Sequence, residues 1–253
     1  RLIEDFRKDL YFAKPSDLGF TEIKNLTINN DVVDFNEVKN RADIIKISLN
    51  KPLVKSESIK INITYQIKIP NSKFTNYGKD ENGYILRYWY LTPAVFTNSW
   101  QLLSNLNIDD LYEENTDFKI DIDISKNYHL ETNIYEYETH KEDKNNYFLV
   151  AKGKRDIVLS IYKDKKFKVF KTKKLKIKTD IPKGNLKDSL INSYLEREID
   201  FIRKYLGNFP HTEIFVDNAT KNKNPIIGLS KLPKFIHAFP EGLVWDLEMF
   251  KAL

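Results

Sequence analysis

Apolar and polar residues alternate along most of the chain, which is the pattern of β-strands that bury one face. The clearest case is segment 58–69, where every second residue from Ile59 to Ile69 is isoleucine or tyrosine. Pro70 ends this run, because proline cannot donate to a strand ladder. The turn AKGKRD at 151–156 predicts a hairpin. The other segments that the alternation predicts as strands are 20–28, 43–49, 118–124, 129–138, 146–163 and 167–179.

Helical spacing of apolar residues predicts three helices. The first is a short amphipathic helix over residues 1–13, ending before Pro15. The second covers 189–206 and is followed by Gly207, the residue type that most often ends a helix. The third is the final stretch GLVWDLEMFKAL, 242–253. Between the last two helices, TEIFVD at 212–217 predicts a strand, and PIIGL is a second apolar segment.

These patterns predict a mainly β protein in two parts. Residues 1–180 are expected to form an antiparallel β-sandwich or curved-sheet domain, led by the helix 1–13. Residues 181–253 hold the order helix, strand, strand, helix, which is too little for a complete α/β domain. They are expected to be the truncated opening of one.

Composition narrows the classes of protein that fit. The chain has 253 residues, of which 41% are hydrophobic and 13% aromatic, so disorder throughout is excluded. Cysteine is absent, which excludes disulfides, a thiolate nucleophile and a cysteine-ligated metal. No apolar run approaches the roughly 20 residues of a membrane span. The chain opens without a start methionine or a signal peptide, so we expect a piece of something longer.

The net charge of +5 is concentrated in the lysine-rich stretch 152–178. A basic run can follow phosphates, so nucleic-acid binding has to be weighed. Here the lysines alternate with Phe167, Val169, Leu175 and Ile177, which predicts a solvated lysine face and an apolar face turned inward. No nucleic-acid partner is therefore expected.

Two groups of acidic residues invite a functional interpretation. Glu196, Glu198 and Asp200 form an acidic cluster, but basic neighbours in the same helix favour an exposed, salt-bridged face. Asp121 and Asp123 could bind Ca²⁺, yet aspartates that alternate along a strand are more often its solvent side.

The segment 84–103 is the richest in aromatic residues. Trp89, Tyr90 and Trp100 could form a platform for a peptide or a sugar, and the alternative is a hairpin that fills the core. The hairpin that fills the core is favoured. No nucleotide-binding or serine-hydrolase motif occurs in the chain.

Five passages, taken in order, resemble the aminopeptidase-N family of zinc metallopeptidases, a branch of the gluzincins. KPLVKSESIKINITYQIKIP (51–70), YILRYWYLTPAVFTNSWQLL (84–103) and FKIDIDISKNYHLETN (118–133) are similar to passages of the family's N-terminal saddle domain. FIRKYLGNFPHTEIFV (201–216) looks like the start of its catalytic domain, and GLSKLPKFI (228–236) falls on its substrate-edge strand.

The resemblance implies a saddle-shaped β domain over 1–180 and the first part of a thermolysin-like catalytic domain after it. It also implies a parent that cleaves peptide or protein substrates with zinc. An extracytoplasmic place in a bacterium, periplasmic or membrane-associated, is favoured, with any membrane attachment outside this segment.

One departure from the family concerns the substrate-edge strand. The family has a glutamate there that binds the free amino terminus of the peptide, and Lys231 occupies its position. A cation facing a substrate ammonium turns attraction into repulsion. By resemblance, the strand consists of Gly228, Leu229, Ser230, Lys231, Leu232 and Pro233.

A second departure concerns the metal. Such peptidases need two histidines at i and i+4 of one helix, a glutamate between them as general base, and a more distant glutamate as third ligand. His129, His140, His211 and His237 are the four histidines, and none is followed four residues later by another. His237 with Glu241 could be imagined as ligands, but a lone surface histidine is favoured.

The segment is therefore expected to hold no catalytic residue, no metal ligand and no cofactor, with zinc confined to an active parent. Either the zinc helix lies beyond Leu253, or residues 243–253 occupy its place with the ligands lost. The second case would make the parent a degenerate pseudo-peptidase. The alternative is a β-rich module that binds a peptide, a glycan or a protein partner.

Overall fold

The computed structural model describes residues 12–74, 77–102, 111–135, 137–141, 145–164, 167–209, 211–219 and 241–253. Strands dominate this part of the chain and helices come near its end, so the prediction of a mainly β protein is confirmed. Most of the predicted leading helix lies outside these residues. The strands are β1 (Phe20–Ile28), β2 (Asp31–Val32), β3 (Phe35–Val38), β4 (Arg41–Ile47), β5 (Ile61–Lys68), β6 (Gly78–Lys79), β7 (Gly83–Leu86), β8 (Val95–Phe96), β9 (Trp100–Gln101), β10 (Thr116–Ile124), β11 (His129–Thr132), β12 (Tyr137–Lys141), β13 (Asn145–Lys154), β14 (Leu159–Tyr162), β15 (Lys168–Lys171), β16 (Lys176–Thr179) and β17 (Glu213–Val216), and the helices are α1 (Asp188–Tyr205) and α2 (Glu241–Ala252).

The chain divides into two compact units. The first comprises residues 1–71 with 104–109, and the second comprises 72–103 with 110–253. In the first unit, β1 lies between β2 and β5 in an antiparallel sheet, and β3 pairs with β4. Of the buried hydrophobic residues that the structure describes, only Leu26 belongs to this unit.

The second unit contains two sheets that share a core. One has the strand order β10-β13-β12 and the other β11-β14-β7-β6. Alternate residues of β13 and β14 point into this core, as period-two patterning requires. The buried members of the cluster are Leu130, Ile134, Tyr147, Leu149, Ala151, Ile157 and Leu159.

Segments 129–138 and 146–163 each cross from one of these sheets to the other. Segment 129–138 divides into β11 and β12, and segment 146–163 divides into β13 and β14, so the predicted AKGKRD hairpin is wrong. The Asn133 side chain fixes both crossings, because its amide donates to the Asp156 carbonyl (3.3 Å) and accepts from the Val158 N–H (3.0 Å).

The predicted strand 167–179 is also wrong as one element, since it folds into the β15–β16 hairpin. Thr172 makes the turn: its N–H donates to the Leu175 carbonyl and its hydroxyl accepts from the Leu175 N–H, both at 2.9 Å. The turn pairs Phe170, and not Val169, with Ile177, which shifts the inward-facing positions of β15 by one residue. Phe170 is therefore buried, and Val169, predicted to face inward, is 49% exposed.

The last part of the second unit is a strand, helix and parallel strand. β17 pairs in parallel with β16, and α1 connects them. Gly207 follows the helix with φ +107, a conformation that glycine adopts without strain, as predicted. The β15-β16-β17 sheet takes strands from both sides of residue 180, and the domain boundary placed there stays a prediction. The buried members of this second cluster are Phe170, Leu175, Ile177, Ile181, Ile191, Leu195, Ile199, Val216, Trp245 and Met249.

In the part of the chain that the structure describes, no helix has the length and apolar character needed to cross a membrane.

The two units should differ in local stability. Because β1 and β5 contribute a single buried apolar side chain, Leu26, their amides should exchange with solvent much faster than those of β13 and β14. Hydrogen exchange followed by mass spectrometry would measure this. Equal protection in both pairs of strands would contradict the expectation.

Candidate functional site

The predicted substrate-edge strand cannot be placed in the fold. Gly228, Leu229, Ser230, Lys231, Leu232 and Pro233 all lie outside the residues that the structure describes. Their role stays a prediction from the sequence.

The short hairpin of β8 and β9 carries a pair of exposed aromatic rings. Phe96 and Trp100 are directly opposite each other in the register, and their rings pack edge to face with centroids 5.0 Å apart. They remain 61% and 60% exposed. The amide of Gln101 holds the turn by donating to the Thr97 hydroxyl (3.1 Å) and to the Ser99 carbonyl (3.2 Å). Two exposed rings in contact offer a stacking surface for a flat or apolar ligand group.

The other two members of the predicted platform fill the core. Trp89 and Tyr90 pack edge to face on each other at 5.5 Å, and Tyr90 packs in the same way on Phe118 at 5.6 Å. Both belong to the apolar cluster between the two sheets, and burial raises the pKa of the Tyr90 hydroxyl. The platform is thus divided: Trp89 and Tyr90 are structural, and Trp100 pairs with Phe96.

An ion pair anchors the start of this aromatic segment. The Arg87 guanidinium donates from Nε to Asp156 (2.5 Å) and from Nη1 to the Tyr77 hydroxyl (3.2 Å). It also lies over the Tyr88 ring at 4.7 Å. Tyr88 has φ +55, a backbone conformation that costs a non-glycine residue on the order of 1 kcal/mol and has to be imposed by its surroundings. Arg87 and Asp156 are 69 positions apart in the sequence, so local patterns could not predict this contact.

His237, which the sequence suggested as a ligand with Glu241, lies outside the residues that the structure describes. No group of three or more histidine or carboxylate side chains in the described ranges could hold an ion. His211 packs against the Tyr135 ring at 5.5 Å. Asp121 and Asp123 lie on the solvent side, as predicted, and both accept from the Asn146 amide, at 2.7 and 2.9 Å.

The acidic group on α1 is not uniformly exposed, which corrects the prediction. Asp200 pairs with Lys174 (2.5 Å), and Glu196 accepts from the Lys173 N–H (2.6 Å), but Glu198 is only 3% exposed. Burial and the neighbouring Asp246 carboxyl raise the pKa of Glu198 to about 9. The helical spacing already placed position 198 on the buried stripe, and its residue type obscured that signal.

Comparison with known proteins finds similar solved structures. No family model and no curated protein matches the sequence. A crystal structure of a zinc metallopeptidase of family M1 from Deinococcus radiodurans matches with a TM-score of 0.47 and 10% identity, over 79% of this chain and 46% of that one. A two-domain enzyme of the same family, bound to L-arginine, matches with a TM-score of 0.48, the same identity and the same coverage. The chain therefore spans about half the length of the structures it matches, which belong to the class that the sequence resembles.

The two tryptophans of the predicted platform should respond differently to truncation. Trp89→Ala should lower the free energy of unfolding by about 3 kcal/mol, because it empties part of the core. Trp100→Ala should cost less than about 1 kcal/mol, because that ring is mostly in solvent. Urea denaturation of both variants measures the difference, and equal losses would refute the division.

Proposed function

We propose that this chain is the N-terminal part of an aminopeptidase-N-like zinc metallopeptidase. In that parent, the saddle-shaped β domain lies beside the catalytic lobe, and the residues after about 180 begin that lobe. Peptide hydrolysis belongs to the parent. The segment itself is architecture next to a reaction centre that it does not form.

The observation that carries this proposal is the change from antiparallel to parallel pairing late in the chain. β17 joins β16 in parallel through α1. The passage 201–216, which comprises the end of α1 and all of β17, is the one that resembles the start of the family's catalytic domain. A strand, helix and parallel strand is the unit from which α/β domains are built.

The proposal assigns the metal chemistry to the parent. Metal-dependent amide cleavage requires a bound ion that polarises water, and the ion requires at least three protein ligands. In the ranges that the structure describes, side chains of the right type do not converge in such a group. Lys231 further supports a parent that is degenerate or altered in specificity, because it would repel a free amino terminus.

The chain should neither retain zinc nor cleave peptides. After incubation with Zn²⁺ and dialysis, metal analysis should find far less than one ion per chain, and unblocked peptides should remain intact. The informative comparison is a longer parent chain with a His-Glu-x-x-His helix, which should retain zinc and cleave the peptides. One tightly held Zn²⁺ per 253-residue chain, or chelator-sensitive hydrolysis, would overturn the proposal.

A second candidate function, a binding module for a peptide or glycan, is favoured by the Phe96–Trp100 pair. Surface aromatic residues that pack on each other and are about 60% exposed stack well on sugar rings and apolar peptide side chains. This function needs no metal and no catalytic lobe.

The binding function predicts that Trp100 is essential. Trp100→Ala should weaken binding of an oligopeptide or oligosaccharide by at least about tenfold, the scale of one lost aromatic contact. Trp89→Phe, which keeps an aromatic ring in the core, serves as the matched control and should bind as the wild type does. Calorimetric titration would measure both. Equal affinity of wild type and Trp100→Ala would exclude this surface.

A further inference from the structure

The two helices expose an apolar face that continues from one helix onto the other. On α2, Leu243, Leu247 and Phe250 are 40%, 45% and 40% exposed, and their spacing of four and three residues places them on one side of the helix. On α1, Phe201 and Tyr205 are one turn apart and are 48% and 59% exposed. We call these five side chains the helix-pair face.

Ring contacts make the helix-pair face continuous. The Phe201 ring packs on the Tyr205 ring with centroids 4.6 Å apart and on the Phe250 ring of the other helix at 5.6 Å. On its other side, α2 buries Trp245 and Met249 in the core of the second unit. This helix therefore turns one apolar side to the core and a second apolar side to solvent.

The area of the helix-pair face matches one side of a protein–protein interface. From the exposed fractions of its five side chains, the face presents roughly 450 Å² of apolar surface. A standard interface buries about 800 Å² on each partner, and about 65% of that area is apolar in homodimers. Monomeric proteins rarely expose a contiguous apolar patch of more than a few hundred Å². The face is thus large enough for two copies to associate through it.

The charges beside the face favour a second copy over a strongly charged partner. In a symmetric dimer the same surface meets itself, so an excess of one sign of charge would repel. Arg197 pairs with Asp246, and Lys174 pairs with Asp200 at 2.5 Å, so these charges are compensated within the chain. Lys204 lies over one ring of the face at 4.8 Å and adds positive charge at one end. Antiparallel packing of two copies keeps those ends apart.

We propose that two copies of this chain associate through the helix-pair face, as a symmetric dimer in which α1 and α2 of one copy pack on α1 and α2 of the other. The side-chain ridges of two helices fit the grooves of two more, which is the packing of a four-helix bundle. This inference does not rest on the proposed function, because it uses only the exposed side of the helices.

Sedimentation velocity of the 253-residue chain at several concentrations tests the dimer. The average mass should rise from 29.9 kDa towards twice that value through the micromolar range. Phe201→Glu should weaken association by at least about tenfold, because it brings a charge from each copy into an apolar interface. Phe20→Glu is the matched control and should associate as the wild type does, since Phe20 is 53% exposed and belongs to the first unit.

Three results would overturn the inference: a wild-type chain that stays monomeric up to about 100 μM, a mass that keeps growing beyond the dimer, or equal weakening by Phe201→Glu and Phe20→Glu. Leu247→Glu, on the other helix, takes the place of Phe201→Glu if that variant does not fold. If neither folds, hydrogen exchange of the wild type decides. Protection of α2 that rises with protein concentration supports the dimer, and protection that is independent of concentration refutes it.

Discussion

The packing of α1 across the β15-β16-β17 sheet is the interaction on which the end of the molecule depends. Ile177 of the sheet and Ile191, Leu195 and Ile199 of the helix are completely buried against each other. Full burial of one such side chain stabilises a protein by roughly 1.5–3 kcal/mol. A sheet has to bury its apolar face against a second layer, so this stripe decides where β17 lies and gives α2 a surface on which to pack.

The same interface contains a buried carboxyl group, Glu198, whose oxygens have no hydrogen-bond partner among the described residues. A charged Glu198 would cost several kcal/mol in this setting, and burial together with the neighbouring Asp246 carboxyl raises its pKa to about 9. The ion pair of Arg197 with Asp246 gives α2 an orientation that its apolar residues do not. Leu243, Leu247 and Phe250 are at least 40% exposed, so α2 is apolar on both faces. The directional contact with Asp246 therefore fixes which of those faces meets α1.

Local patterns predicted best the elements that keep one pattern over many residues. β1 has the predicted bounds, and α1 was predicted to within a residue or two, because seven apolar positions over 190–206 share one helical period. The crossings at Asn133 were missed, because alternation is the same whether a strand continues in its sheet or enters the next one. Contacts between sheets are equally invisible to local patterns: the ion pair of Lys178 with Glu131, at 2.7 Å, joins residues 47 positions apart.

The sequence predicted which segment is rich in aromatic residues, but not which of those rings would be exposed. The aromatic residues of segment 84–103 are evident from the sequence. Whether each ring faces the core or the solvent depends on the two-residue strands β8 and β9, which are too short to show a periodic pattern. A clear pattern does not guarantee burial either. The isoleucine pattern of β5 is the clearest of the chain, but Ile61 is 40% exposed. Alternation reports which residues share a face, whereas burial depends on what packs against that face. A sequence therefore predicts an apolar face more securely than it predicts a core, and the rings that remain in solvent, Phe96 and Trp100, could be identified only once the cores were known.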